Sequence, residues 1–312
     1  MRFENLMPYD KKSFILGLAA GLATTGIHRN PAIQPVSPGP CIVFSSQTGV
    51  ALRIYNATKN WLGSLQYSIN KTDWIEWDGS TKIVSVDNYI CLRGKNNRFI
   101  TGHINIEGSF ILEGDNIYCS GDIRTLLDYE YPEQSVMDDA CFHYLFYGNS
   151  NLISAPQLPA TTLSRSCYAS MFNFCSRLQE APELPAMSIP GFAYHSMFTR
   201  CSSLINPPAL PATEVGEACY YEMFLRCTAL TAIPKLPALV LQRNCYRGMF
   251  GYCSNIKVSS TYGGEFQTPY RVPQYGNGQM ANYALNDMFG HTGGSVMTPQ
   301  INTTYYTPNR LV

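Results

Sequence analysis

The chain has 312 residues with 22 basic and 22 acidic side chains, so its formal net charge is zero, and only 14% of its residues are charged. That balance argues against a nucleic-acid partner, which needs a basic face to displace phosphate counterions, and 45% hydrophobic content excludes a disordered solvating chain. The length bounds the architecture to two domains, or one domain with a repeat array.

Residues 1–13 carry Arg2, Glu4, Asp10, Lys11 and Lys12 and precede an apolar stretch from Phe14 to Ala23. Ten residues fall far below the roughly 20 that span a bilayer, so no transmembrane span is expected. The segment predicts a short helix capped by Asp10, with Phe14, Ile15, Leu18 and Leu22 anchoring the chain to a larger assembly. A cleavable secretory signal is the competing reading. Pro31, Pro35, Pro38 and Pro40 then mark an extended linker, which closes a first region at residues 1–40.

Residues 41–128 hold β-rich runs at Ile42–Ser45, Ala51–Tyr55, Leu65–Ile69, Lys82–Val86, Tyr89–Arg93 and Phe99–Ile106, with turn signals such as Asp78-Gly79. They predict a small β-sandwich whose edge caps the first unit of a repeat array. Trp61, Trp74 and Trp77 read as core of this region or as platforms for sugar rings.

Residues 129–258 repeat with a period of 26. Cys141-Phe142, Cys167-Tyr168, Ala193-Tyr194, Cys219-Tyr220 and Cys245-Tyr246 each open a unit. Its form is C-Y-x-x-M-F-x-x-C-x-x-L-x-x-x-P-x-L-P-A-x-x-L, with the first Cys as offset 0. Apolar residues at offsets 0, 1, 4, 5 and 8 predict one stripe of an α-helix. Prolines at offsets 15 and 18 limit the return path to a short strand, because they cannot donate to a ladder. One such coil cannot bury its own stripe, so coils must stack. The fold class expected is therefore mixed α/β: an N-terminal helical anchor, a small β-sandwich and a leucine-rich-repeat solenoid of 26-residue repeats. Residues 259–312 read as a degenerate repeat and C-terminal cap.

In that helix Cys167 and Cys175 lie about 12 Å apart, too far for a disulfide. The repeat cysteines are thus expected to be buried thiols, while Cys41, Cys91 and Cys119 stay unassigned. No C-x-x-C or other metal spacing occurs, and no metal or cofactor is expected.

The repeat unit, with its P-x-L-P-A return, resembles the BspA-like leucine-rich repeats of bacterial surface proteins. The upstream Leu65-Gln66-Tyr67-Ser68, Leu92-Arg93-Gly94 and Ser120-Gly121-Asp122-Ile123 are similar to the β-rich region that precedes such repeats in gut bacteria and their phages. Met288-Phe289-Gly290 and Asn302-Thr303-Thr304-Tyr305-Tyr306 resemble that family's last repeat and terminal strand. Tyr9-Asp10-Lys11-Lys12-Ser13-Phe14 running into Gly17–Gly21 is similar to the start of phage and prophage structural proteins. The resemblance implies a virion-surface protein that contacts virion structural proteins through its N-terminus and associates with copies of itself. A secreted or cell-surface bacterial adhesin and a purely architectural subunit are the alternatives.

Catalytic motifs are absent: there is no H-E-x-x-H, G-x-S-x-G, P-loop or G-x-G-x-x-G. His195 falls where other coils hold Ala169, Tyr221 and Arg247, which reads as surface rather than as a general base. Gly263-Gly264-Glu265-Phe266 is a fragment without the domain that a cyclase signature needs. The chain is expected not to be an enzyme. Recognition is better supported than catalysis, because offsets 12, 13 and 16 vary while the core positions stay fixed, with plain solvated surface as the equal alternative. The candidate ligand-binding residues are Gln157, Glu180, Glu183, Asn206 and Lys235, on a nearly neutral surface suited to a bacterial surface protein or glycan.

Overall fold

The computed structural model describes residues 39–56, 61–102 and 106–312. The expected anchor helix, with Phe14, Ile15, Leu18 and Leu22, lies outside them. Among the described residues no helix is long and apolar enough to cross a membrane.

The strands, in chain order, begin with β1 (Ile42–Ser45), β2 (Ala51–Ile54), β3 (Ser64–Ser68), β4 (Ile75–Glu76) and β5 (Ile83–Val84). Next come β6 (Tyr89–Lys95), β7 (Phe110–Glu113), β8 (Ile117–Ser120) and β9 (Leu152–Ser154). The repeats contribute the short strands β10 (Ser188–Ile189), β11 (Glu214–Val215), β12 (Ala232–Ile233) and β13 (Val240–Leu241). The C-terminal part adds β14 (Thr268–Arg271), β15 (Gln279–Met280), β16 (Thr304–Thr307) and β17 (Arg310–Leu311).

One sheet runs β4-β3-β6-β1-β8-β9 and a second runs β5-β2-β7. Phe44 of β1 meets Phe110 of β7 edge-on at 6.3 Å, which joins the two sheets through one core. Alternation explains these strands: in β1, Ile42 and Phe44 are buried while Val43 and Ser45 are half-buried. The run at Phe99–Ile106 forms no strand among its described residues. Strand β9 pairs in parallel with β8, so the six-stranded sheet passes directly into the first repeat. At the far end β10-β11-β13-β15 form a parallel sheet, and β17 adds in parallel to β12.

The expected mixed α/β solenoid, with one helix per coil, is corrected. Among the described residues there is no α-helix, only the 3₁₀ turns Ile123–Leu126 and Pro132–Gln134, and the strands form several small sheets. The Cys-Tyr-x-x-Met-Phe-x-x-Cys segment is instead a ribbon of overlapping β-turns. In the unit that starts at Cys167, the N–H groups of Ala169, Met171, Asn173 and Cys175 donate to the carbonyls of Ser166, Tyr168, Ser170 and Phe172 in the same coil. The N–H groups of Tyr168, Ser170, Phe172 and Phe174 instead donate to the carbonyls of Ala193, His195, Met197 and Thr199 in the next coil. Alternate donors therefore close turns within a coil and tie that coil to its neighbour. An α-helix would use all of them internally.

This geometry needs a left-handed residue at every fourth position. Ser166 (φ 56°), Ser170 (52°) and Phe174 (64°) supply it here, and each later coil does the same. The buried residues then recur with a period of four rather than 3.6. Over one short segment the two periods give nearly the same stripe, which is why the pattern reads as a helix. The composition disagrees with that reading, because Cys, Tyr, Phe, Ser and Asn are all mediocre helix formers.

Stacked ribbons place equivalent side chains in ladders. Phe146, Phe172, Phe198, Phe224, Phe250 and Phe289 form one, with ring centroids 5.4–5.7 Å apart and planes within 12°. Phe142, Tyr168, Tyr194, Tyr220 and Tyr246 form another, at 5.6–6.0 Å. All eleven cysteines are buried free thiols. The helical spacing used to explain the repeat cysteines is replaced by a more specific role. Each thiol of Cys175, Cys201, Cys227 and Cys253 donates, at 3.0–3.1 Å, to the Phe146, Phe172, Phe198 or Phe224 carbonyl of the preceding coil. Cys91 and Cys119 lie in β6 and β8, and Cys41 precedes β1. A thiol–thiol hydrogen bond to Cys91, together with burial, pushes the Cys41 thiol up.

At Gly248 (φ 62°), which occupies a left-handed position of the ribbon, a Cβ would also press on the Glu222 side chain at 3.1 Å. Gly248→Ala should therefore lower the unfolding free energy by about 1–2 kcal/mol in denaturant titration. The buried thiols give the ribbon a pH dependence as well. Burial pushes Cys167, Cys245 and Cys253 up to about 12. Unfolded thiols ionise at about pH 8.5, so above that value the unfolded chain loses protons that the folded chain keeps, and stability falls as pH rises. Each thiol should lower stability by about 2 kcal/mol at about pH 10, and below about pH 8 it should contribute no slope. Denaturant midpoints measured under reducing conditions across that range check this.

Candidate functional site: a proline-walled groove

The two prolines of each coil keep the return path from pairing along its full length. Pairing there shrinks to single bridges: Asp122 with Gln157, Ser154 with Glu180, and Glu180 with Asn206, all parallel. Beside these bridges the surface sinks into a groove of about 690 Å³. Pro156 and Pro159 of one coil and Pro182 and Pro185 of the next form its walls, with Ser154 and Thr161 adding hydroxyls. It continues past Pro208 and Pro211 of the third coil through a further 310 Å³. Proline fixes φ, so the walls are set before any ligand arrives and little backbone freedom remains to be lost on binding.

Three of the five sequence-predicted residues, Gln157, Glu180 and Glu183, line this groove. The backbone holds Gln157 in place: its N–H donates to the Gly121 carbonyl at 2.8 Å, and its own carbonyl accepts from the Ile123 N–H at 3.1 Å. Asp122, bridged to Gln157, is clamped by Arg124 through contacts of 2.7–3.1 Å, an internally neutralised pair. The side chains of Gln157, Glu180 and Glu183 are exposed, and none is engaged in a hydrogen bond or ion pair among the described residues. They offer two carboxylates and one amide to hydroxyl, amide or amine groups of a ligand.

The other two predicted residues stand apart from the groove. Asn206 continues the ladder from Glu180, but its side-chain oxygen accepts from Arg310 Nη2 at 3.0 Å. Lys235 lies where its N–H donates to the Val312 carbonyl at 2.8 Å, under the strand β17 that closes this part of the ladder. The variable offsets pointed to these five residues but not to the prolines between them, whose strict recurrence was the signal for the groove walls.

Other sequence-marked residues take structural places. Trp61 and Trp77 are buried and stack at 6.3 Å. Trp74 carries the Arg93 guanidinium 3.8 Å from its ring, with Tyr129 on that guanidinium at 3.9 Å. His195 stacks on Tyr221 at 4.9 Å, and burial lowers its imidazole below the ordinary histidine range. Gly263 and Phe266 close a tight turn through reciprocal backbone hydrogen bonds of 3.0–3.1 Å. Among the described residues no group of three His, Cys, Asp or Glu side chains is placed to hold a metal ion.

No family model, curated protein or solved structure matches the chain.

Because Glu180 and Glu183 are exposed and unpaired, Glu180→Ala and Glu183→Ala should leave the unfolding free energy within about 0.5 kcal/mol of wild type. Thermal or denaturant unfolding of the double variant checks this.

Proposed function

We propose that this chain is a non-enzymatic recognition subunit of a virion surface, whose groove holds a segment of a bacterial surface protein or glycan. The observation that carries the reading is the preset proline-walled groove, lined by Gln157, Glu180 and Glu183 with their polar groups unpaired. Groups with no internal partner, lining a concavity that need not reorganise, serve binding rather than folding. The non-catalytic part rests on the absence of catalytic motifs from the sequence. The virion part rests on the similarity of residues 9–21 to the start of phage structural proteins, and the bacterial target on the similarity of the repeat to bacterial surface repeats.

Labelled full-length protein, or particles carrying it, should adhere to susceptible bacterial cells. The variant combining Gln157→Ala, Glu180→Ala and Glu183→Ala should bind at least about tenfold more weakly while unfolding at the same temperature. Undiminished adhesion of that variant would remove the groove from the function. Failure of the chain to co-sediment with any particle would remove the virion assignment.

A further inference from the structure

The opposite feature of each coil, the turn ribbon, carries a second arrangement that the groove does not use. One residue per coil occupies its third left-handed position, and in four successive coils these are Phe174, Arg200, Arg226 and Tyr252. The Arg200 guanidinium lies over the Phe174 ring of the preceding coil at 4.8 Å. The Arg226 guanidinium lies over the Tyr252 ring of the following coil at 4.5 Å. The backbones at Arg200 and Arg226 belong to adjacent coils, held in register by N–H donation from Arg200 to Leu225 and from Arg226 to Gly251, both at 2.7 Å. Two like charges thus start from neighbouring coils, both exposed, each stacked on a ring on the side away from the other.

Ring stacking engages the face of each guanidinium but leaves its N–H donors without a partner. Neither guanidinium has a hydrogen bond or ion pair among the described residues, and the ion pairs that do form use other basic side chains. Both arginines sit at φ 62°, where glycine would be less strained and where Gly148 stands in the first coil. The left-handed backbone is common to the whole ribbon; what sets this spot apart is two exposed like charges on adjacent coils with unpaired N–H donors. Phe174 is 40% exposed, so its ring supports a guanidinium and keeps free surface beside it, whereas the Tyr252 ring is stacked on His291 at 4.5 Å as well as carrying Arg226. Stacking on a ring also orients the planar fork of an arginine, which favours two-point contact with an oxyanion.

We propose that this face is a second binding site, for an acidic glycan, with one carboxylate or phosphate of the glycan held by Arg200 and Arg226 and a sugar ring against Phe174. Paired guanidiniums match the two oxygens of either anion, and aromatic side chains offer the apolar surface against which a sugar face packs. The charge is sparse: Glu222 and Asp287 occupy left-handed positions of the same ribbon, and the whole chain is neutral. A nucleic-acid strand, with a phosphate on every nucleotide, would set anions against those carboxylates. A glycan with an acid only on some of its sugars avoids them, which favours it over a nucleic acid.

The test is calorimetric titration of the full chain with a hyaluronan oligosaccharide, which carries a carboxylate on every second sugar, a dextran oligosaccharide bearing a single phosphate, neutral dextran oligosaccharide and an oligothymidylate, at low and at physiological salt. We expect binding to at least one acidic glycan, weakened by salt, and no binding to dextran; which of the two acids binds separates carboxylate from phosphate. The double variant Arg200→Gln/Arg226→Gln should lose at least about tenfold in affinity, whereas Glu180→Ala/Glu183→Ala should retain it. Arg200→Lys/Arg226→Lys, which keeps the charge but loses the planar fork, should fall between the two. Unchanged unfolding temperatures for these variants show that the fold is intact. The proposal is overturned if neither acidic glycan binds, if the glutamine variant binds as wild type does, or if the oligothymidylate binds as tightly as the better glycan.

Discussion

Every second N–H of the turn ribbon reaches across to the next coil, and most other features of the repeat region depend on that division of donors. The N–H groups between them close β-turns within their own coil, so the ribbon leaves few donors to solvent while stacking tightly enough to bring rings within 5.4–6.0 Å of one another. Such a path requires a left-handed residue at every fourth position, a strain of roughly 1–2 kcal/mol wherever the residue is not glycine. Crossing hydrogen bonds and the fully buried Tyr, Met, Phe and Cys ladders offset it. The thiol ladder belongs to the same scheme, because a carbonyl that turns inward at Phe146, Phe172, Phe198 or Phe224 finds a weak donor one coil later.

Much of this was readable from residues, and the parts that were not have physical reasons. The 26-residue period, the stacking and the buried identities of offsets 0, 1, 4, 5 and 8 came directly from recurrence. The path of the backbone did not, because so short a window cannot distinguish a period of four from one of 3.6 when both leave the same residues inside. The distinguishing marks lay at the positions between: Ser166, Ser170, Ser196, Asn244 and Gly248, residues suited to turns, fall where φ is positive. A helix reading passes over them as solvent-facing. In the β region, strands such as β1, β3 and β6 announced themselves by alternation and apolar content, while β7 and β8, which alternate as β1 does, flank the Glu113-Gly114-Asp115 turn signal that read as the end of the strand region.

The candidate sites divide in the same way. Variable positions pointed to Gln157, Glu180 and Glu183, which line the groove, but equally to Asn206 and Lys235, which the C-terminal strand occupies. Nothing local to those two residues announces that β17, at the very end of the chain, will add itself beside β12. The arginine and aromatic column was hidden for a different reason. Its members are one per coil and chemically unlike, so recurrence, which exposes what is constant, passes over a pattern made of differing types.

The last ribbon step alters what the repeat can be said to measure. Tyr220 donates to Cys245 at the regular spacing, yet Tyr246 donates to Ala284 across a longer stretch of chain, and Phe250 still stacks on Phe289 at 5.5 Å. The additional residues leave the stack along the way, and β14 forms from this part of the chain and pairs with β16 from beyond it. The ribbon therefore counts coils, not residues. New sequence can enter the return path between two coils, or a whole coil can be gained or lost, without disturbing the spacing of the ladders on either side.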